Sequence, residues 1–404
     1  MDNPGASVRQ GIPCLDTQTA AFMNAPNSVL GTGEGRLRLA QCPIGFEFYS
    51  YATVKALFED ARLRPRDKAY FRWRGASDIV LEFVENGTLS FMADDDHDRV
   101  KKVLMLAFTP GAVKKFRSKV IENAEYMLGK VGTGGEIDFV NDFSHFYTLR
   151  NIAGYIGMPM EDIEKIDRFT VNFRLLGQVP LEPVLPRLEE TLHEVSDYAS
   201  RLIAERRVNR QDDLLSKMIG AVEDTAKLTE KNLLWATTVL LTAGHDSTRF
   251  MFSSCLRVLI EHDLWDALHD DHSLVDAIVG EAMRLYPPTP RQVRIPREPL
   301  QIEGHRFDKG DVIVLSMAGA ARDPAAISDP DDFVLNRGKV YDLPFGQGRH
   351  LCLGHAFARL ELYEGLKLLV DRWAKPEIIG PIEFKTTGVI CGPEVIPIRF
   401  RSRR

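Results

Sequence analysis

Apolar residues recur at helical spacing through most of the segment from Asp95 to about Leu285. A helix is expected to start in the Asp94-Asp95-Asp96 cluster, whose acids suit the positive end of a helix dipole. Further helices are expected over Pro110–Val131, Asn141–Ile156, Met160–Leu176 and Val184–Arg207. A long helix runs from about Thr229 to His262, opened by Leu-Thr-Glu-Lys, and another covers Ser273–Leu285 until Pro287, Pro288 and Pro290 end it. The pattern then changes. Val293–Ile295, Leu300–Ile302 and Asp311–Ser316 read as short strands, with turns at Glu303-Gly304 and Lys309-Gly310. One more helix follows Cys352, with Ala356, Leu360, Tyr363, Leu366, Val370 and Trp373 on one face, and Val389–Phe400 reads as strands around Gly392-Pro393. The expected fold is mainly α with a minor β region, in one domain over residues 1–404. Its helix-rich body spans about 50–290 and 353–373, its β-rich parts about 291–320 and 380–400.

With 404 residues and 44% apolar content the chain can bury a sizeable core. The net charge of −6 gives no reason to expect nucleic acid or a membrane as the main partner. Residues 1–40 lack a basic stretch followed by a long apolar one, so neither signal peptide nor anchor is expected. Leu233–Gly244 is too short to span a bilayer, and a cytoplasmic location follows as the expectation. Cys14, Cys42, Cys255, Cys352 and Cys391 form no C-x-x-C pair, and an odd count suits neither a disulfide framework nor a zinc site. Each is by default a small buried hydrophobe.

Only Cys352 sits in surroundings that contradict that default. Residues 344–361 read Pro-Phe-Gly-Gln-Gly-Arg-His-Leu-Cys-Leu-Gly-His-Ala-Phe-Ala-Arg-Leu-Glu. Glycines 346, 348 and 354 allow tight turns and close backbone approach. Cys352 is expected in the first turn of the following helix, where unpaired N–H groups stabilise a thiolate, the metal-ligating form. A Gly-rich turn around a buried structural cysteine is the plainer reading of the loop alone.

The loop resembles the haem-binding signature of the cytochrome P450 family, F-x-x-G-x-H/R-x-C-x-G. Phe345, Gly348, His350, Cys352 and Gly354 fill every fixed place. The resemblance implies a haem b held through the sulfur of Cys352, with Phe345, Gly346, His350 and Gly354 among the residues that contact it. An axial thiolate pushes electron density onto haem iron and favours O–O cleavage.

Three more segments resemble family signatures. Glu281 and Arg284 share a helix face and resemble E-x-x-R, a buried structural pair whose third partner here is expected to be Arg337; a solvated surface pair is the alternative. Ala243-Gly244-His245-Asp246-Ser247-Thr248 places a polar cluster inside an apolar helix, which is costly unless its groups are satisfied. It resembles the family's oxygen-binding segment, with Asp246 in the acid place and Ser247 where the family usually has Thr, followed by Thr248. A capped or kinked core helix is the alternative there. His97 and Lys101, ahead of Phe108-Thr109-Pro110, resemble the family's H-T-R-L-R…F-T-P run. They imply propionate contacts, with Arg294 and His350 as further candidates, and a lysine at 101 offers a point charge where the family has a bidentate fork.

The implied reaction inserts one atom of O2 into a small organic substrate. Electrons would come from a separate ferredoxin or flavodoxin and its NAD(P)H-dependent reductase, and Lys101, Lys102, Lys114, Lys115, Arg349 and Arg359 are the expected docking charges. Family position places the pocket along Tyr70–Met92, Phe173–Leu185, Leu240–Ala243, Pro288–Gln292 and Val389-Ile390. Phe83, Leu240, Ala243, Pro290, Val389 and Ile390 are the candidates, and their character favours a mostly apolar substrate, of the kind found in secondary metabolism. Arg72 and Arg74 are read as exposed loop arginines or as partners of an anionic group. A peroxide-driven haem-thiolate enzyme and a non-enzymatic haem sensor are the rival functions; the acid–alcohol pair argues against the first, and the want of an output domain against the second.

Overall fold

The structure, a computed structural model, describes residues 9, 11–178, 180–224, 227–335, 337–338, 343–386 and 390–403. It is mainly helical with minor sheets. Its contacts divide into two units. The first comprises Met1–Arg66, Ala277–Cys352 and Phe384–Gly392; the second comprises Asp67–Asp276, Leu353–Glu383 and Pro393–Arg404.

The first unit is built on a five-stranded sheet in the order Leu39–Cys42, Gly45–Phe48, Ile313–Ser316, Arg291–Pro296, Leu63–Arg64. The pairing is antiparallel except between Gly45–Phe48 and Ile313–Ser316. Phe46 and Phe48 on one strand, and Ile313 and Leu315 on its neighbour, put alternate side chains into one core with Leu57, Phe58 and Phe307. The expected strand at Val293–Ile295 extends to Arg291–Pro296, and Asp311–Ser316 shortens to Ile313–Ser316. Leu300–Ile302 pairs with His305–Phe307 through a turn whose Glu303 and Gly304 both have positive φ, 49° and 81°, as a tight hairpin requires. The strands Leu39–Cys42 and Gly45–Phe48 were not expected. They are buried at every position, so they carry no alternation to read.

The second unit is mostly helical, with a small antiparallel sheet of Gly134–Asp138, Pro397–Arg401 and Glu377–Ile378. Its longest helix, Glu230–Glu261, opens on a capping box in which Thr229 and Asn232 each satisfy the other's backbone N–H. The helix Leu185–Val208 matches its expected span within a residue. Other spans needed correction. The run expected over Pro110–Val131 is two helices, Pro110–Lys115 and Arg117–Val131. The chain bends at Phe116, whose ring packs edge-on against Tyr155 and beside Phe357. The run Asn141–Ile156 begins as a π-turn over Val140–Ser144, and Met160–Leu176 starts and ends in 3-10 turns around Ile163–Phe173. The helix Leu214–Glu223, capped by Asp213, was not expected.

Phe139, Phe143, Tyr147, Phe252, Trp373 and Phe400 form the aromatic centre of this unit. Two helical glycines permit the packing around it. A Cβ at Gly365 would meet the Phe252 ring at 2.8 Å, and one at Gly244 would meet Ile152 at 2.6 Å. The helix after the cysteine loop spans His355–Arg372. Its buried stripe includes Phe357, Glu361, Leu362, Leu366, Leu369 and Val370, whereas Ala356, Leu360 and Tyr363, expected inside, are only half-buried.

Candidate active site

The cysteine loop lies in the first unit. Gly346 and Gly348 sit in the left-handed region, at φ 72° and 63°, where a side chain would be strained. Gly354 has φ −86°, outside the left-handed region. The loop closes on itself: the Cys352 N–H donates to the Phe345 carbonyl at 2.8 Å, and Gly346 N–H to the Leu343 carbonyl at 2.8 Å. Cys352 stands three residues before the helix that begins at His355, not in its first turn. Its thiol is exposed and in no disulfide. Cys42, Cys255 and Cys391 are buried. Burial pushes the thiols of Cys42 and Cys391 up to about 12 and about 11 and that of Cys255 higher, so none of these is a ready thiolate.

In the same unit, Arg294 is 4% exposed on the strand Arg291–Pro296. Its guanidinium lies 5.2 Å from the centre of the Phe58 ring and donates to the Val293 carbonyl. No carboxylate lies within ion-pair distance of it among the described residues. Burial, with the nearby charge of Arg66, lowers its pKa to about 10. A buried cation without a counter-ion is a costly arrangement, and it suits an anionic ligand.

Glu281 and Arg284 are both fully buried. Arg284 holds the carboxylate in a fork, Nε to Oε2 at 2.5 Å and Nη2 to Oε1 at 3.0 Å. Arg337 Nε and the Val334 N–H donate to the same Oε1 at 2.8 and 2.9 Å. Arg284 also donates to the carbonyls of Ala321, Pro330 and Asp332, tying down the loop beyond the sheet. Burial pushes the Glu281 carboxyl up, but the hydrogen bonds from Arg284 and Arg337 outweigh it and hold it below the usual range.

In the second unit, the long helix divides the expected oxygen-binding segment between two faces. Ala243 is exposed and Gly244 and Ser247 are half-buried on one face; His245, Asp246, Thr248 and Arg249 are buried. The Ser247 hydroxyl donates to the Ala243 carbonyl at 3.2 Å, and that of Thr248 to the Gly244 carbonyl at 3.1 Å. Asp246 is clamped between two guanidiniums, Arg174 Nε at 3.0 Å and Arg249 Nε at 3.1 Å. Glu394 Oε1 completes the cluster, 2.6 Å from Arg174 and 3.2 Å from Arg249. His245 Nδ1 meets the Thr148 hydroxyl at 2.9 Å, and its ring stacks edge-on against His145, which contacts Asp167 at 2.5 Å. Burial, then the charges around it, lowers the His245 pKa well below the usual value and keeps it neutral.

Sequence reasoning missed Arg174, Arg249, Glu394, His145 and His245. Arg249 was findable, three residues after Asp246 on one helix; Arg174 and Glu394 are distant in the chain and carry no local signal.

His97 is buried at 1% exposure, with Nδ1 3.0 Å from Asp98, and Lys101 is half-buried one turn on. His350 is half-buried in the cysteine loop. Among the pocket candidates, Phe83 is packed between Phe173 and Trp235 at ring separations of 5.3 and 5.6 Å, a core position. Leu240 is nearly buried, Pro290 is buried and Ile390 is half-buried. Val389 lies outside the described residues. Arg74 donates to the Gln178 carbonyl and sits over Tyr70, while Arg72 is exposed. An open cleft of about 690 Å³ lined by Tyr126, Asn141, Phe146, Arg150 and Met160 contains none of the expected site residues.

The family model described as Cytochrome P450 matches residues 66–374. Cyclomarin C epoxidase CymV of Salinispora arenicola is 32% identical to this chain, over 78% of it and 81% of its own length. A luteothin monooxygenase of Streptomyces thioluteus is 28% identical over 90% of both. The solved structure of CxnD, described as a P450 for C–S bond formation in chuangxinmycin biosynthesis, matches with a TM-score of 0.85 at 25% identity, covering 97% of this chain and 98% of that one. No helix among the described residues is long and apolar enough to cross a membrane. The cysteine loop, the buried Glu281–Arg284 pair and the polar cluster in the long helix thus stand in a chain that belongs to the cytochrome P450 family and is one of its monooxygenases.

Proposed function

We propose that this chain holds haem b through the Cys352 thiolate and inserts one oxygen atom from O2 into a small, mostly apolar secondary metabolite. The observation that carries this reading is the contrast among the cysteines: Cys352 alone is both exposed and set in a glycine-turned loop. The donors fit the group. A thiolate suits haem iron, and the buried Arg294, without a carboxylate partner among the described residues, suits a haem propionate. His97, Lys101 and His350 are proposed to add hydrogen bonds to the propionates, and Phe345, Gly346 and Gly354 to pack near the ring. When bound, the haem supplies the iron at which dioxygen is activated.

The chain's own part in that chemistry is proton supply. The Ser247 hydroxyl both donates and accepts, on the open face of the long helix. Asp246 is the proton source in this reading, held between Arg174 and Arg249. It must swing from one guanidinium to pass a proton to the Ser247 side. Thr248 is the second proposed hydroxyl for proton delivery, bonded to the Gly244 carbonyl as Ser247 is to that of Ala243. Leu240, Ala243, Pro290 and Ile390 are proposed to line the substrate pocket, and a relative named as a polyketide biosynthesis P450 supports that substrate class.

Ser247→Ala removes one exposed hydroxyl and should cost no more than about 1 kcal/mol of stability. Haem content and substrate binding are expected to be intact. Reducing equivalents are expected to be consumed at a similar rate, with more hydrogen peroxide released and less product formed. Undiminished coupling would move the proton role off Ser247. Turnover with a donor chain, set beside turnover with peroxide alone, separates this reading from a peroxide-driven enzyme.

Electrons are proposed to come from a separate acidic ferredoxin or flavodoxin with an NAD(P)H-dependent reductase, in the cytoplasm. Lys102, Lys114 and Lys115 are exposed in the second unit, as are Met105 and Leu106. Lys101 and Arg359 are half-buried there, and Arg349 is exposed in the first unit. Charge reversal at Lys114 and Lys115 should slow reduction and flatten its salt dependence while leaving substrate affinity unchanged. Reduction that ignores both salt and these charges would overturn this docking surface.

A further inference from the structure

Away from every residue assigned above, two histidines and an aspartate converge in the second unit. His269 lies in the last turn of the helix Trp265–Asp270, His272 opens the 3-10 turn that follows, and Asp371 sits at the end of the helix His355–Arg372. His269 Nδ1 lies 3.0 Å and His272 Nε2 2.9 Å from the same oxygen, Asp371 Oδ1. One atom from each residue falls within 4.8 Å of the others. We propose that these three side chains form a binding site for a divalent transition ion, Zn2+ by donor set.

Two imidazole nitrogens and one carboxylate oxygen are the donors that zinc takes; calcium and magnesium prefer oxygen alone. A tetrahedron with bonds of roughly 2.0–2.1 Å has edges of about 3.4 Å, so the two histidine–aspartate separations need to open by only about 0.4–0.5 Å. Without an ion, each ring donates an N–H to the carboxylate. With one, each ring turns a lone pair to the metal and carries its proton on the far nitrogen, so two hydrogen bonds give way to three metal bonds with no net proton change. All three side chains are about one-third exposed, which leaves the fourth position to water.

The ligands are also held in place. Trp265 is fully buried and its indole N–H donates to the Trp373 carbonyl at 3.0 Å, fixing one ligand-bearing helix against the chain that follows the other. Asp271 caps the intervening turn through the Ser273 N–H. An ion here would cross-link the two helices and raise the melting temperature of the protein by mass action. Copper would bind more tightly than zinc at such donors, and magnesium hardly at all.

The test is calorimetric titration of ZnCl2, with MgCl2 as comparison, into tag-free full-length protein stripped with chelator, followed by thermal melts read by circular dichroism. One zinc per chain, a raised melting temperature with zinc and none with magnesium are expected. His269→Asn with His272→Asn should weaken zinc binding by roughly tenfold or more and abolish the melting shift. Asp371→Asn should weaken it less. No stoichiometric zinc uptake by the parent, or unchanged affinity in the double histidine variant, would overturn the proposal. A variant that melts lower while the parent takes no zinc would show the three residues to be a hydrogen-bonded bridge and would overturn it equally.

Discussion

Glu281→Ala and Arg284→Ala are each expected to yield protein that retains little haem. Both side chains are fully buried, and removing one leaves the other charged and desolvated, which typically costs about 3–5 kcal/mol. That is a large share of the roughly 5–15 kcal/mol by which a folded protein is stable. The damage would be local to the first unit: Arg284 binds the carbonyls of Ala321, Pro330 and Asp332, and Glu281 holds the Val334 N–H. Arg337→Ala should do less harm, because Glu281 keeps the Arg284 fork and the Val334 bond. The pH sign is fixed by the lowered pKa of Glu281: its stabilisation is complete above the ordinary carboxylate pKa and is lost as pH falls through the lower folded value. Haem-to-protein absorbance ratios and thermal melts check this. Full haem loading with an unchanged melt in both variants would mean that the pair is not structural.

How much of this was legible in the sequence depends on whether the determinants were local. The long helix was readable within a residue or two at each end because its period and its Thr229 cap lie in one stretch of chain. The short strands after the prolines were readable from glycine turns and β-branched runs. The strands Leu39–Cys42 and Gly45–Phe48 were not, since burial on both faces erases alternation. At the break at Phe116 the ring meets Tyr155 and Phe357, residues far along the chain, and no window around Phe116 contains them.

The same division runs through the site. The glycines that need positive φ, the cysteine and the E-x-x-R pair are short patterns, and Arg337 was reachable as a partner for Glu281 only through the family resemblance. Gly244 looked like an oxygen-binding glycine and is also a packing glycine, because Ile152 lies where its Cβ would be. The clamp on Asp246 was illegible: Arg174 and Glu394 reach it from segments with no sequence relation to the long helix. That clamp changes what a substitution means. Asp246→Asn would take the charge from a carboxylate between two guanidiniums, so a slowed turnover must be measured per haem-loaded molecule.

Cys352→Ser is expected to remove the haem-thiolate signature altogether. A serine at this place keeps the backbone bond to Phe345 and the glycine turns but replaces the soft, readily ionised sulfur with a hydroxyl that stays protonated at neutral pH. The loss should be complete and specific. Cys14, Cys42, Cys255 and Cys391 should each be replaceable by alanine without spectral change, the last three being buried with raised thiol pKa values. The deciding measurement is the absorbance spectrum of the reduced protein under carbon monoxide. The parent and the four other cysteine variants should show the strongly red-shifted Soret band of a haem-thiolate protein, and Cys352→Ser should not. The same red-shifted band in Cys352→Ser, or its absence from the parent, would contradict the assignment of Cys352 as the iron ligand.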